Sequence, residues 1–234
     1  MACDWPKELI VMSGRREARC AYCALVLQRG HMTRDHVFPT AWYPETTPPT
    51  VQRWTVPSCV ACNNQKSQLE AYCLAQLSAG VDVESTAARG IWERAFRSMR
   101  IQDAGSDANE REHRNRALQS VMRELVPADQ VRPSVSFPAP RTGASGLNLD
   151  WARVERLMEL FARGCHCYIE QRPLPTDAMV NCYRRAAWQP IPDLVLQLLS
   201  QAREYELPRK SVFIARRNRT YHFRFALKIM LLRR

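Results

Sequence analysis

The sequence contains no apolar run approaching the roughly 20 residues that a membrane-spanning helix needs, so we expect no membrane partner. A secretory signal is also missing, because the opening Met-Ala-Cys-Asp-Trp-Pro-Lys carries an acid and no sustained apolar stretch. We therefore expect a cytoplasmic, reducing environment, in which structural disulfides are rare. The nine cysteines of the chain then need another explanation.

Lysine is scarce: 34 residues are lysine or arginine, and only Lys7, Lys66, Lys210 and Lys228 are lysines. The net charge of +11 is therefore carried almost entirely by arginine, with clusters at 15–16, 184–185, 216–219 and 233–234. Such clusters favour contact with phosphates, although charge runs are more often solvated faces. With 234 residues and 46% hydrophobic content, the chain has material for a real core and more than one domain.

Four of the cysteines form two C-x2-C pairs, Cys20 with Cys23 and Cys59 with Cys62. A C-x2-C turn lets two sulfurs point at one centre, and Zn²⁺ takes four thiolates at about 2.3 Å. We expect one structural zinc that ties two distant turns together. Ordinary buried thiols or disulfides are the alternative, which the paired spacing disfavours. Three other cysteines are isolated and are expected to be small buried hydrophobes: Cys3, Cys73 and Cys182.

An Asp-His dipeptide lies between the two pairs, at Asp35 and His36 on a predicted strand over 33–37. Neighbouring strand residues point to opposite faces, so these two need not share one role. The second cysteine pair leads into a predicted helix over 63–77, with Asn63 in its first turn. Zinc would hold that helix start beside the strand and bring Asn63 near Asp35. A solvated pair on a surface strand is the alternative.

The residue types suit hydrolytic chemistry. Histidine titrates near neutrality and can accept a proton from water. One carboxylate and one amide suit a hard divalent cation that keeps open positions.

Three motifs together resemble the HNH (ββα-metal) nucleases, in the branch whose ββα unit is stapled by a four-cysteine zinc. They are C-x2-C at 20–23, Asp-His-x2-Pro at 35–39, and Val-Pro-x-Cys-x2-Cys-Asn-x2-Lys at 56–66. The resemblance covers roughly the first third of the chain. It implies an α+β fold with a treble-clef-like ββα core and hydrolysis of phosphodiester bonds, leaving 5′-phosphate and 3′-hydroxyl ends.

The resemblance also implies roles for single residues. His36 would be the general base, and Asp35 and Asn63 would hold one Mg²⁺ or Mn²⁺ ion. Lys66, one helical turn beyond Asn63, would meet a phosphate. Arg34 flanks the Asp-His pair, and two roles are open for it: contact with a phosphate or a simple surface position.

The family's middle asparagine is missing from the stretch 51–58, which reads Val-Gln-Arg-Trp-Thr-Val-Pro-Ser. In the family that residue mostly braces the loop that orients the catalytic histidine. Trp54, Thr55 or a backbone carbonyl would have to orient His36 instead. This departure affects geometry and rate more than the type of reaction.

Two further positions stay open. Asn64 is an alternative to Asn63 as the cation ligand, although the Asn-x2-Lys spacing fits Asn63. Glu70 lies two helical turns beyond Asn63 and is either a group near the cation or a solvated helix carboxylate.

The rest of the chain divides by pattern. Helical periodicity covers 86–126, with a break near Gly105 and a cap at Ser106 or Asp107. A helix starts at Asp150 and ends at Gly164. The remaining predicted elements are a strand over 165–170, a helix over 193–205, and strands over 211–216 and 220–232 with a turn at 217–219. Cys165-His166-Cys167 would alternate in direction on its strand, which disfavours a second metal site.

We therefore expect four segments: an HNH nuclease domain at 1–80, a helical segment at 81–126, a Pro-rich linker at 127–147 and a small α+β domain at 148–234. The predicted function is a zinc-containing HNH endonuclease acting on DNA, compatible with defence against foreign DNA. An RNA-directed nuclease is one alternative. A zinc-stabilised nucleic-acid-binding or adaptor module with an inactive site is another. The C-terminal unit is a candidate contact for a protein partner or a second copy of the chain.

Overall fold

The structure is a computed structural model that describes residues 17–43, 45–78, 90–127, 145–147, 149–180, 182, 203–205, 212–217 and 220–225. Its strands are β1 (Glu17–Arg19), β2 (Val26–Gln28), β3 (Met32–His36), β4 (Thr55–Cys59), β5 (Leu125–Pro127), β6 (Ser145–Leu147), β7 (Arg203–Tyr205), β8 (Val212–Arg217) and β9 (Thr220–Phe225). Its helices are α1 (Val60–Ser78), α2 (Ile91–Arg97), α3 (Ala108–Glu124) and α4 (Trp151–Glu170). The described part of the chain therefore has the predicted α+β class.

All pairings among the described strands are antiparallel: β1 with β2, β3 with β4, β5 with β6, and β7, β8 and β9 in that order. In the β3–β4 hairpin, Met32 lies opposite Cys59 and His36 lies opposite Thr55. Helix α1 begins at the residue after β4. This register places the Asp-His dipeptide at the far end of β3 from the second cysteine pair.

Helix α1 has a cysteine at its entrance where many helices have a Ser, Thr, Asp or Asn cap. The backbone N–H of Cys62 donates to Sγ of Cys59 at 3.4 Å, which satisfies one of the first-turn amides. Helices α3 and α4 use aspartates in the ordinary way. Asp107 accepts from the amides of Asn109 and Glu110, and Asp150 accepts from those of Ala152 and Arg153. Both aspartate caps agree with the sequence.

One core joins the cysteine turns, the β3–β4 hairpin, α1 and α4. Its buried members include Tyr22, Val37, Trp54, Val56, Tyr72, Leu157, Leu160 and Phe161. Phe161 of α4 packs edge-on against Phe38 and Trp42, and the Trp54 ring stacks on Tyr168. Helix α4 lies in the predicted 148–234 segment, yet its buried face shares this core with residues of the predicted 1–80 segment.

Helix α4 corrects two predictions. It does not end at Gly164 but continues to Glu170, and Gln171 follows in the left-handed region with φ of 56°. The predicted strand over 165–170 is therefore wrong, because these residues form the last turns of α4. Gly164 lies inside α4, and the absence of a side chain there lets the helix approach Val37 closely. Cys165, His166 and Cys167 are all buried in this helix.

Other predictions are confirmed in part over the residues described. The predicted helical stretch contains α2 and α3, but its last residues, Leu125 and Val126, belong to β5. Strand β8 confirms residues 212–216 of the strand predicted over 211–216 and extends it to Arg217, and residue 211 lies outside the described residues. Strand β9 confirms the first six residues of the stretch 220–232, whose remainder lies outside the described residues. The predicted helix over 193–205 is wrong at Arg203–Tyr205, which form β7, and its other residues are not described. Most residues of the predicted linker are not described; the exceptions, Pro127 and Ser145–Leu147, lie in the β5–β6 pair. Two of the three residues of the predicted turn at 217–219 are not described either.

No helix in the described ranges combines the length and apolar character needed to cross a membrane.

Candidate functional site

The four predicted zinc ligands converge. The sulfur atoms of Cys20, Cys23, Cys59 and Cys62 all lie within 4.8 Å of one another. Four thiolates around a zinc at about 2.3 Å would be separated by roughly 3.8 Å. Sγ of Cys23 and Sγ of Cys59 are 3.9 Å apart, which fits that arrangement and is far too long for a disulfide. The set therefore fits a tetrahedral zinc ion.

The surroundings of the sulfurs also suit a metal. The backbone N–H of Cys59 donates to Sγ of Cys20 at 3.4 Å, which supports negative charge on that sulfur. Burial, reinforced by the neighbouring cysteine sulfurs, raises the pKa of Cys23 and of Cys62, so a bound cation would be needed to keep these two thiols deprotonated. The turn carrying Cys20 is tied to the hairpin by a bond from the Ala21 N–H to the Pro57 carbonyl at 2.9 Å.

Asp35 lies on the core side of β3, largely enclosed, with its side chain 12% exposed. The hydroxyl of Tyr22 donates to Oδ2 of Asp35 at 2.5 Å. Nζ of Lys66 lies 3.0 Å from the same oxygen. Tyr22 belongs to the first C-x2-C turn, and Lys66 belongs to α1, which carries Cys62. The elements of both cysteine pairs therefore meet at this carboxylate.

Lys66 is 1% exposed, which is rare for a lysine. Its ammonium has three acceptors: Asp35, the His36 carbonyl oxygen at 2.6 Å, and the Glu70 carboxylate one turn further along α1. An ammonium has three N–H donors, so these acceptors use them all. The ring centroids of Tyr22 and Phe161 lie 5.8 and 5.7 Å from Nζ. Lys66 therefore points into the protein, and its donors are not offered to a phosphate in solvent.

Glu70 belongs to this buried cluster and is not a solvated helix carboxylate, since its side chain is 18% exposed and paired with Lys66. Burial raises the pKa of Glu70 although the Lys66 charge opposes the shift. Burial, more than the charge of Asp35, raises the pKa of Tyr22. The Tyr22 hydroxyl thus remains protonated at neutral pH and acts as a donor.

His36 is the last residue of β3 and shares a face with Arg34 and Thr55, opposite to the Asp35 face. The structure thus gives the two members of the dipeptide different neighbours. Nδ1 of His36 is buried and has no hydrogen-bond partner among the described residues. Neither Trp54, Thr55 nor a described backbone carbonyl accepts or donates a hydrogen bond at Nδ1. The expectation that one of them orients the imidazole in place of the missing asparagine is therefore not met at this atom.

The ionisation of His36 is shifted towards the neutral form. Burial is the largest cause that lowers the pKa of His36, and the charges of Arg53, Lys66 and Arg34 lower it further. The Asp35 carboxylate acts in the opposite direction but does not outweigh them. His36 is therefore neutral at pH 7, as a proton acceptor must be.

Two arginines lie beside His36. Arg34 is exposed and donates to Oγ1 of Thr55 at 3.0 Å. Arg53 is exposed, lies over the ring of Tyr43 at 5.4 Å, and forms no ion pair with a carboxylate of the described residues. Arg34 was identified from the sequence, but Arg53 was not. The only sequence feature that pointed to Arg53 is its position two residues before Thr55. Tyr22 was missed as well, although its position inside the first cysteine pair was visible.

Asn63 is half-buried in the first turn of α1, and its neighbour Asn64 is exposed. Apart from the four cysteines, no three histidine, cysteine or carboxylate side chains converge on a common point within the described ranges. A cation near Asp35 would therefore depend on few protein ligands and on water.

The chain matches no protein-family model, and searches of curated proteins and of solved structures found no similar protein.

Proposed function

We propose that the protein is a metal-dependent endonuclease of the HNH type that hydrolyses phosphodiester bonds in DNA. One observation carries this proposal: a strand–strand–helix unit, closed by a four-cysteine cluster, presents Asp35 and His36 at the end of β3 and Asn63 at the start of α1. The zinc cluster would be structural. A reducing, cytoplasmic compartment would keep its thiols available.

His36 is the general base of the proposed reaction. Because Nδ1 is buried, water would meet the imidazole at Nε2. For Nε2 to accept a proton, the neutral ring must carry its own proton on Nδ1. Nε2 takes a proton from water as the water oxygen bonds to phosphorus. The bond from phosphorus to the 3′ oxygen then breaks, that oxygen takes a proton from solvent water, and His36 returns its proton to solvent. The products are a 5′-phosphate and a 3′-hydroxyl.

Asp35 and Asn63 would hold one Mg²⁺ or Mn²⁺, which supplies charge neutralisation at the phosphate when bound. A carboxylate oxygen and an amide oxygen are suitable donors for such an ion. Arg34 and Arg53 place positive charge beside His36, where a phosphate chain would lie. RNA carries the same phosphodiester, so both nucleic acids belong in the test.

A second candidate is a zinc-stabilised nucleic-acid-binding module without catalysis. It is favoured by two observations: Lys66 already neutralises Asp35, and Nδ1 of His36 has no orienting partner among the described residues. Asp35 and His36 would then have only a structural role, and the module would bind nucleic acid through its arginines.

The test compares wild type with His36→Ala on supercoiled plasmid, single-stranded DNA and RNA in Mg²⁺ or Mn²⁺. Metal analysis must first show one zinc per chain in both proteins. We expect wild type to cut DNA and His36→Ala to lose at least about 100-fold in rate, the typical contribution of a general base. Binding without cutting by wild type would contradict the nuclease and favour the binding module.

A further inference from the structure

The Asp35 carboxylate is held by only one of its two oxygens. The Tyr22 hydroxyl and the Lys66 ammonium both contact Oδ2. Oδ1 receives no hydrogen bond from the residues that the structure describes. A carboxylate fixed in this way cannot rotate freely, and one oxygen stays open to a ligand.

The two groups that hold Oδ2 are themselves fixed. Lys66 is tied to Glu70 and to the His36 carbonyl, so its ammonium cannot leave without leaving two largely enclosed carboxylates unpaired. Tyr22 is 5% exposed and lies between Cys20 and Cys23 in the chain. Lys66 follows Cys62 by four residues, or about one helical turn. The four-cysteine cluster therefore positions both groups.

We propose that Tyr22 and Lys66 are positioning residues that hold Oδ2 of Asp35 and leave Oδ1 as the oxygen offered to a divalent cation. This inference rests on the proposed function, because it assigns the cation to Asp35. The structural zinc thereby acquires a second role, since the cluster sets the orientation of the carboxylate through Tyr22 on one side and Lys66 on the other. Hydrogen-bonding partners favour metal binding by orienting the ligand before the ion arrives. The charge of Lys66 opposes a second cation, so the expected contribution of Lys66 lies in orientation and not in charge.

The inference is tested by Mn²⁺ binding to the zinc-loaded full chain, followed by the electron paramagnetic resonance signal of free Mn²⁺. Tyr22→Phe removes one hydroxyl and should weaken Mn²⁺ binding by about 10-fold or more. The matched control is Tyr72→Phe, which also removes one hydrogen bond, between the Tyr72 hydroxyl and the Asp150 N–H at 2.8 Å. The control should keep wild-type Mn²⁺ affinity, since this bond lies at the start of α4.

Lys66→Arg keeps the positive charge but replaces the compact three-donor ammonium by a planar fork, and it should weaken Mn²⁺ binding as Tyr22→Phe does. Asp35→Asn should abolish binding. Zinc content and melting temperature are measured for every variant, because a merely structural role would lower melting temperature without a specific change in Mn²⁺ affinity.

The outcomes separate the two proposals. Wild-type Mn²⁺ affinity in Asp35→Asn, or no Mn²⁺ binding by wild type, would contradict the cation site and with it the proposed function. Loss of binding in Asp35→Asn together with unchanged affinity in folded Tyr22→Phe and Lys66→Arg would overturn the positioning role alone.

Discussion

Gly164 of α4 lies directly against Val37, the residue that follows His36. A methyl group placed on Gly164 would lie 3.1 Å from Cγ1 and 3.3 Å from Cγ2 of Val37. Such separations are shorter than ordinary carbon contacts. The absence of a side chain at this position lets α4 pack close to the end of β3, and so helps to fix where His36 lies.

A larger residue at position 164 should therefore destabilise the fold. We expect Gly164→Leu to lower the free energy of unfolding by about 1–3 kcal/mol, because α4 and Val37 must separate to admit it. Urea unfolding measures the change. The control is Gly30→Ala, since an added methyl at Gly30 would meet nothing within 4 Å. Equal stability of Gly164→Leu and wild type would show that the close approach has no energetic consequence.

The same glycine shows what the sequence could predict. Local signals were sufficient where short-range chemistry decides: the two C-x2-C turns and the aspartate caps of α3 and α4 appear as predicted. Gly164 resembles a helix end by local preference. Its actual cause is tertiary, because it faces Val37, which lies far earlier in the chain. No local pattern carries that contact.

The candidate site divides in the same way. Spacing was enough to single out the cysteines, but it could not show how Asp35 is held. Tyr22 reaches Asp35 across the core, and Lys66 is buried among acceptors from both β3 and α1. In a basic chain, the sequence alone favours a lysine that faces solvent and contacts phosphate. Only the partners of Lys66 in the fold show that it is buried. Their positions depend on how α1 packs against the hairpin, which periodicity alone does not define.

Removing one zinc ligand should remove the metal and much of the stability. We expect Cys62→Ser to hold less than one zinc per chain and to unfold at a lower temperature, because three thiolates bind zinc less tightly than four. Metal analysis and thermal unfolding measure both effects. Cys182→Ser is the control, since Cys182 is not one of the four clustered cysteines and its thiol donates to the Glu155 carbonyl at 3.7 Å. Full zinc content in Cys62→Ser would contradict the four-cysteine site.

The proposed nuclease activity should be lost only below the ordinary titration range of histidine. Burial lowers the pKa of His36 below its ordinary value near 6.5, so more than half of the imidazole is still neutral at pH 6.5. The cutting rate, proportional to the neutral fraction, should reach half of its maximum at a pH below 6.5. Initial rates of plasmid nicking between pH 5 and 8 measure this, with zinc content checked at each pH. A half-maximal rate at a pH above 6.5 would contradict a buried base whose pKa is lowered.

Arg53 is expected to contact the phosphate chain. Its guanidinium is exposed over the Tyr43 ring, forms no carboxylate pair among the residues described, and lowers the pKa of His36 through its charge. Arg53→Ala should weaken DNA binding and reduce the salt dependence of binding by about one phosphate contact. It should also raise the pKa of His36, because a nearby positive charge no longer disfavours the imidazolium. The acid limb of the rate profile then moves to higher pH.

The control for Arg53 is Arg116→Ala on α3, which removes the same charge from a well-exposed arginine paired with Glu112 at 3.8 Å. This variant should leave the acid limb unchanged and alter DNA affinity only slightly, because the charge of Arg116 is not among those that shift the pKa of His36. Fluorescence anisotropy at two salt concentrations and the pH dependence of cutting give both readouts. Equal effects of the two substitutions would mean that only net charge matters. An acid limb displaced in Arg53→Ala alone would place the guanidinium beside the base, where the scissile phosphate must lie.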